Sequence, residues 1–590
     1  MWLLMNECWD LTPLYSGFDD PTFLQDVQQL RAKAEELVAF VPQLEGIESL
    51  EGLRRGTRLL EELAVLEDRL LLYPRLRTSV NTDDAEAVSW QGRLGSISAV
   101  AAGAQSAFKQ WAGGLPQLEA LLEQDEVLQQ YRFYYTQLAE SRRYLLSSQQ
   151  EDTLAAMGIS GLRAWGNLRS AVTSRMRVDF RGQNMTMAGV RNLARDPDMA
   201  VRRDAYIAEL AGYEAVKEPV AHAMNAIKQS TITECRMRGY ESVLDWSLKQ
   251  ANMQRATLDA MLSAVVDFLP KLRRYMKAKA KLLGYPGGLP WYDMMAPVGK
   301  GSGSFTVEEA RDHLLKLFAG FDPEMASMME TAFRDAWIDF HPRSGKRDGA
   351  FCASSRSMHR SWVLTNYSGK LAAVCTLAHE LGHAYHNICI GDHRPLNKRY
   401  GRPVSETAST FNECVVYGAA VHGAKDRDEK LGLIEGCLIS EAAMIVDIYS
   451  RFLFEDEVFR RRETEFLSAD TLCDIMKRAQ KEAFGDGLDH NALHPYMWIC
   501  KPHYYSAFYY NYPYIFGSLF SRGLYARYLA EGASFVPKYK KLLYTTAVAS
   551  VEDAAAVADI DLTDKAFWTG ALRSVAELVD EFCELVEEKV

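Results

Sequence analysis

None of the ten cysteines pairs with another at CxxC spacing, and from Cys8 to Cys583 they are scattered along 590 residues. That excludes a dense disulfide framework and a thiolate-rich structural metal site, and points to reduced, mostly buried thiols in a reducing compartment. No run of about 20 apolar residues occurs, so a membrane-spanning helix is not expected. The start, MWLLMNECWDLTPLY, is apolar but has no basic region and no small-residue cleavage site, so a secretory signal is not expected either. The expectation is a soluble, cytoplasmic protein without a membrane partner. No Lys/Arg block offsets the net charge of −11 or the pI near 5.7, which argues against nucleic acid as a partner. No fixed-period repeat appears, so a regular solenoid is not supported.

What is present is a folded globular composition, 48% hydrophobic and 25% charged, in a chain long enough for several domain-sized units. Apolar residues recur at helical spacing, as in Phe23-Val27-Leu30 and Leu59-Leu60-Leu63-Leu66. The fold class is therefore mainly α, with further long helices over 118–138, 198–238, 256–283, 429–466 and 566–590. Pro/Gly clusters near Gly113, over 283–304 and over 340–351 mark loops. We expect an N-terminal helical domain over 1–190 and a second domain over 191–590. One stretch, Ser357 to Gly369, is too short and too rich in Trp362, Val363, Thr365 and Tyr367 for a helix, and reads as a strand.

That strand precedes SGKLAAVCTLAHELGHAYH, a helical pattern in a chain with only 12 histidines. His379 and His383 stand one turn apart on one face, the spacing at which two imidazoles converge on a single zinc ion. Glu380 sits beside them as the general base of the HExxH metallopeptidase pattern. A strand edge next to such a site can pair with an extended peptide, with Gly349 and Ala350 helping to align its backbone.

A catalytic zinc takes three protein ligands and keeps one position open. The extended histidine-rich motif would need glycine and histidine where this chain has His386 and Cys389. His386 lies about 10 Å of axial rise from His379, so it is expected to pack rather than ligate. Downstream, PVSETASTFNECVVYGAAV reads as a helix starting near Ser405, with Glu406 and Glu413 two turns apart on one face. We expect Glu413 to be the third ligand and Glu406 an outer carboxylate that fixes the tautomer of a ligating imidazole.

Taken together, TLAHELGHAYH (376–386), ETASTFNE (406–413), GKRDGAF (345–351), LPWYDMMAPVG (289–299) and PHYYSAFYYNYPYIFG (502–517) resemble the oligoendopeptidase F branch of the thimet oligopeptidase family. LYSGFDD and NTDD extend the resemblance loosely into the N-terminal third. It implies a two-lobed helical shell enclosing a deep channel, with a small β-sheet beside the zinc-binding helix. It also implies one Zn2+ ion held by His379, His383 and Glu413, and cleavage of internal bonds in short unfolded peptides. Within the aromatic segment it implies that His503, Tyr509 and Tyr512 stabilise the tetrahedral intermediate and that Tyr505 contacts substrate.

Two other readings stay open. A catalytically silent peptide-binding protein would keep zinc for structure, which the retained Glu380 argues against. A zinc dipeptidyl carboxypeptidase would need a cation for the substrate carboxylate, for which Arg356, Arg360 and Lys501 are candidates. Association into a homo-oligomer is not decided by the sequence.

Overall fold

A computed structural model describes residues 6–300 and 303–588. Met1–Met5 of the apolar start and Lys589–Val590 of the last expected helix lie outside the described residues. The chain is mainly α-helical, with a two-stranded ribbon and one three-stranded sheet among the described residues. No helix among them is long and apolar enough to cross a membrane.

Helix α1 (Ser49–Val80) presents a nearly continuous apolar stripe from Leu53 through Leu63 to Leu76. It packs into a core with Phe23, Leu30, Phe108 and Tyr131. Strands β1 (Ile338–Asp339), β2 (Phe351–Ser355) and β3 (Arg360–Leu364) form the small sheet in the order β1-β3-β2. β1 runs parallel to β3, and β2 runs antiparallel to it, with Phe351 opposite Leu364 and Ser355 opposite Arg360. Alternation along β3 joins two cores. Trp362 and Leu364 enter the N-terminal one and Val363 enters the largest, which also holds the helices that follow.

The expected strand over 357–369 is thus real but shorter, and its position differs from the expectation. β3 is buried between two neighbours, and the free edge belongs to β2. The long helix over 118–138 is broken into Leu118–Leu122, Glu126–Gln130 and Arg132–Arg142, because Asp125 caps a new start by accepting from the amides of Val127 and Leu128. The 429–466 segment carries a π-turn at Ala442–Asp447 between two α-helices.

Helix α2 (Leu371–Cys389) carries HELGH, and helix α3 (Thr407–His422) packs against it. Their close approach depends on Gly382, where a Cβ would stand 2.6 Å from Ala408 O and from Ser409 Cα. Asn412 Nδ2 donates to Ala378 O at 2.9 Å across the same seam. Helix α4 (Tyr512–Glu531) lies along α3, and Gly517 leaves room for the Glu406 side chain, 3.1 Å from where its Cβ would be.

Candidate metal centre

The regular rise of α2 sets His379 and His383 with ring centroids 4.9 Å apart. Their Nε2 atoms converge on one carboxylate oxygen, Glu406 Oε2, at 3.3 and 3.4 Å. Among the described residues this trio is the group able to share a metal ion, with its donor atoms within 4.8 Å of one another. Two imidazole nitrogens and a carboxylate oxygen make the set that suits a catalytic zinc with one open position.

Glu413 is placed differently from the expectation. Its Oε1 meets the opposite nitrogen of one ring, His379 Nδ1, at 2.7 Å. The two carboxylates therefore stand the other way round from the expectation, Glu406 at both Nε2 atoms and Glu413 behind one ring. The face argument assumed that both belong to one helix, but a 3-10 turn at Arg402–Val404 precedes α3 and leaves Glu406 at its N-cap. From there its side chain reaches both rings, and Ser409 Oγ donates to Oε2 at 3.0 Å. Glu413, well inside the helix, reaches one ring from behind, as an outer carboxylate does when it fixes a tautomer.

The electrostatics follow from this packing. Burial alone would lower the His379 pKa, yet the two carboxylates raise it to about 10. Glu406 is driven the other way: burial opposes its charge, but the bonds to His379 and His383 hold it well below the usual carboxylate range. Glu380 is 6% exposed, and burial lifts its pKa against the pull of the two histidines. It also accepts the Cys352 amide, which ties the base to the free edge of the sheet.

These groups form the floor of a cavity of about 550 Å³. One wall is the β2 edge from Ala350 to Ser354, and the other is α1 from Glu67 to Arg75. Asp68 Oδ2 accepts from Ser355 Oγ at 2.8 Å and Ser357 N at 3.1 Å, while Arg75 lies over the Phe351 ring, so α1 and β2 run in opposite directions across the trough. Ala350 is in the lining as expected. Gly349 is one step outside it, at φ +83°, with its carbonyl taking Asn366 Nδ2 at 2.9 Å. His386 is fully buried, stacked on Tyr400 and bonded to Thr546 Oγ1 at 2.8 Å, as a packing residue should be.

The aromatic segment departs furthest from expectation. Tyr509 has φ +48° and turns inward, where its hydroxyl donates to Asp456 Oδ1 at 2.8 Å and its ring stacks on Phe459. Asn511 Nδ2 donates to Glu455 Oε2 at 2.6 Å, and the Tyr512 hydroxyl bonds Ser247 Oγ at 3.1 Å. Tyr505 is 4% exposed and donates to Trp498 O, with Arg169 against its ring. Tyr505, Tyr509 and Tyr512 are thus committed to packing, because each ring is buried and each hydroxyl already has a partner elsewhere. That inward anchoring leaves Tyr510 and Tyr514 half-exposed, Tyr510 just before α4 and Tyr514 in its first turn. Both stand beside His503, with ring centroids at 5.0 and 5.9 Å, and Arg402 lies over Tyr510. Burial, the Tyr510 hydroxyl and the Glu406 charge together push the Tyr514 pKa up to about 12, so Tyr514 senses the metal site. Their i, i+4 spacing was the available signal, hidden among six tyrosines.

Of the three candidate cations, Arg360 is turned away, donating to Asp335 O and lying against the Trp337 and Trp362 rings. Lys501 lines another cavity with Arg451 and Asp447. Arg356 lines the metal cavity itself.

The chain matches the model of peptidase family M3 over residues 192–569 and that of oligopeptidase F over 116–177. It is 24% identical to oligopeptidase PepF of Bacillus subtilis over 91% of this chain and 81% of that one. It is 25% identical to group B oligopeptidase PepB of Streptococcus agalactiae over 99% and 97%. Among solved structures, oligoendopeptidase-F of Enterococcus faecium superposes with a TM-score of 0.71 at 18% identity, covering 96% of this chain and 99% of that one. A solved chain from Chlamydophila abortus superposes with a TM-score of 0.85 at 19% identity, covering 98% of each. With the match to 192–569 enclosing both helices of the metal centre, the chain belongs to peptidase family M3 and is a metallo-oligopeptidase of the oligoendopeptidase F type.

Proposed function

We propose that this protein is a zinc-dependent cytoplasmic endopeptidase that cuts internal bonds of short, unfolded peptides, with His379, His383 and Glu406 as the metal ligands. The observation that carries this is the convergence of both Nε2 atoms on Glu406 Oε2, with Glu380 next to it and a free strand edge alongside. A zinc ion held there supplies a Lewis acid that polarises a peptide carbonyl and acidifies water.

The remaining steps belong to the chain. Glu413 holds the proton on His379 Nδ1 and so presents Nε2 as a lone pair. Glu380 takes the proton of the attacking water at its carboxylate and delivers it to the leaving amine. Burial raises its proton affinity, which suits a group that must hold a proton briefly. The β2 edge pairs with the extended backbone of the substrate. His503, Tyr510 and Tyr514 donate to the developing oxyanion, in place of the Tyr509 and Tyr512 expected from sequence.

The test is an end-blocked, internally quenched oligopeptide with products mapped by mass spectrometry. Internal cleavage that stops with a chelator and returns with zinc is expected, and Glu380→Gln should keep the metal while losing roughly 10²- to 10⁴-fold in kcat. Cleavage confined to unblocked C-termini would favour the dipeptidyl carboxypeptidase reading, and metal binding without any turnover would favour the silent binder.

A further inference from the structure

Arg356 stands on the wall of the metal cavity without a counter-charge. It follows β2 directly, at the start of the turn to β3. Its Nε is buried with no hydrogen-bond partner, and no carboxylate among the described residues forms an ion pair with its guanidinium. The nearest acid whose charge it feels, Asp68, is occupied by the hydroxyls of Ser355 and Ser357 and the Ser357 amide. The Arg399 charge also reaches it, the neutral Tyr400 hydroxyl lies nearby, and Glu67 and Arg75 complete the charged lining of the trough walls. With Nε cut off from water and no acid paired to it, this half-buried guanidinium is a place where an anion entering the cavity would be held. Arginine's fork suits a carboxylate in particular.

Two rulers place this cation relative to the reaction. Along the strand, Cys352 touches Glu380 through its amide, and Arg356 is four residues further, roughly 13 Å at about 3.3 Å per extended residue. Along α2, His386 stacks on Tyr400, whose hydroxyl lies near Arg356, and His386 is six residues from Glu380, or about 9 Å at 1.5 Å per helical residue. A peptide paired with β2 advances at the strand's own rise, so both rulers come to three or four substrate residues from the scissile bond. The other end of the trough differs. There Arg75 is exposed and already lies over the Phe351 ring, so it faces water rather than an unfilled site.

We propose that Arg356 is a carboxylate anchor that selects peptides carrying an acidic group three or four residues from the bond to be cut. This rests on the endopeptidase reading above and adds a specificity element to it. Two sources share the chemistry: the terminal carboxylate of a short peptide, which would make Arg356 a length gauge, and an Asp or Glu side chain.

The test uses one cleavable sequence in matched sets. One set ends three or four residues after the cut, as free acid or amide. The other places Glu or Gln three or four residues to either side of the cut in an end-blocked peptide. Both kcat/KM of the wild type and binding to the Glu380→Gln protein are measured. A carboxylate preference of roughly tenfold or more in either set is expected, since a hydrogen bond to a charged group is worth that much. The set that shows it identifies the source. In Arg356→Gln the ratio within each set should fall toward one, and Arg356→Lys should keep part of it. The variant-free comparison stands even if Arg356→Gln folds poorly. Equal kcat/KM and equal binding within both sets would overturn the anchor while leaving internal cleavage intact. Loss of the ratio in Arg75→Gln with retention in Arg356→Gln would overturn it too. Failure to cut any blocked peptide would count against the endopeptidase reading, while the binding ratio would still decide on Arg356.

Discussion

The α2–α3 pair and the segment from His503 to Tyr514, to which the proposed reaction assigns the metal and the oxyanion donors, are built by different means. In the helix pair, position follows from periodicity. Two histidines four residues apart must share a face, and Gly382 lets the second helix come close enough for a carboxylate to meet them. In the aromatic segment the backbone is irregular, and position follows from where each hydroxyl is tied. Asp456, Glu455 and Ser247 hold Tyr509, Asn511 and Tyr512, and Tyr510 and Tyr514 are left half-exposed beside His503. Regular structure can be read forward from sequence; a tethered loop is defined by its distant partners.

The sharpest way to break this comparison is to exchange the two carboxylates of the helix pair. Glu406→Ala should empty the site, because both Nε2 atoms lose their shared partner, and activity should fall to background. Elemental analysis after dialysis would check it, and full zinc occupancy would hand the ligand role back to Glu413. Next in size are the tyrosines. Tyr514→Phe and Tyr510→Phe should each lower kcat by about 10²- to 10³-fold if they are oxyanion donors, with little change in thermal midpoint. Tyr509→Phe should do the reverse, keeping most of kcat while costing about 0.5 to 1.5 kcal/mol of stability for the lost hydrogen bond to the exposed Asp456. Steady-state kinetics paired with urea unfolding separates the two outcomes. A smaller effect is expected for Glu413→Ala, a loss of roughly 10- to 100-fold in zinc affinity by chelator competition, since an outer carboxylate orients a ligand without being one.

Much of this was legible in the sequence, and the gaps share a cause. HELGH, the helical class and the packing role of His386 depend on local spacing, which the chain states openly. Glu413 was read in place of Glu406 as the carboxylate meeting both imidazoles because one 3-10 turn at Arg402–Val404 moves the start of α3 to just after Glu406, so a residue assumed to be inside the helix is its cap. The free strand edge was assigned to the right hairpin but the wrong partner, since Phe351-Cys352-Ala353-Ser354-Ser355 lacks the strand formers, Trp362 and Val363, that made 360–364 visible. In both cases a short, weakly patterned stretch hides the boundary that decides which residue meets the site.

His386 gives the smallest effect and the cleanest test of the well-read half. Burial is the largest cause of its depressed pKa, with the His383 charge adding to it, and it stands at about 3 against an ordinary value of 6.5. Between those values the unfolded chain binds a proton that the folded protein refuses. The unfolded state thus holds more protons, and stability must rise with pH across that window and fall as pH drops through it. The slope is at most about 1.4 kcal/mol per pH unit for one such group. Removing the titration with His386→Gln should flatten the dependence of the urea midpoint on pH between about 6.5 and 4 by up to that slope, whatever the mutation does to stability at neutral pH. The same slope in the variant and the wild type would mean that His386 takes up a proton in the folded state, and the stacked, uncharged packing against Tyr400 would then be the wrong account of why this histidine cannot serve the metal.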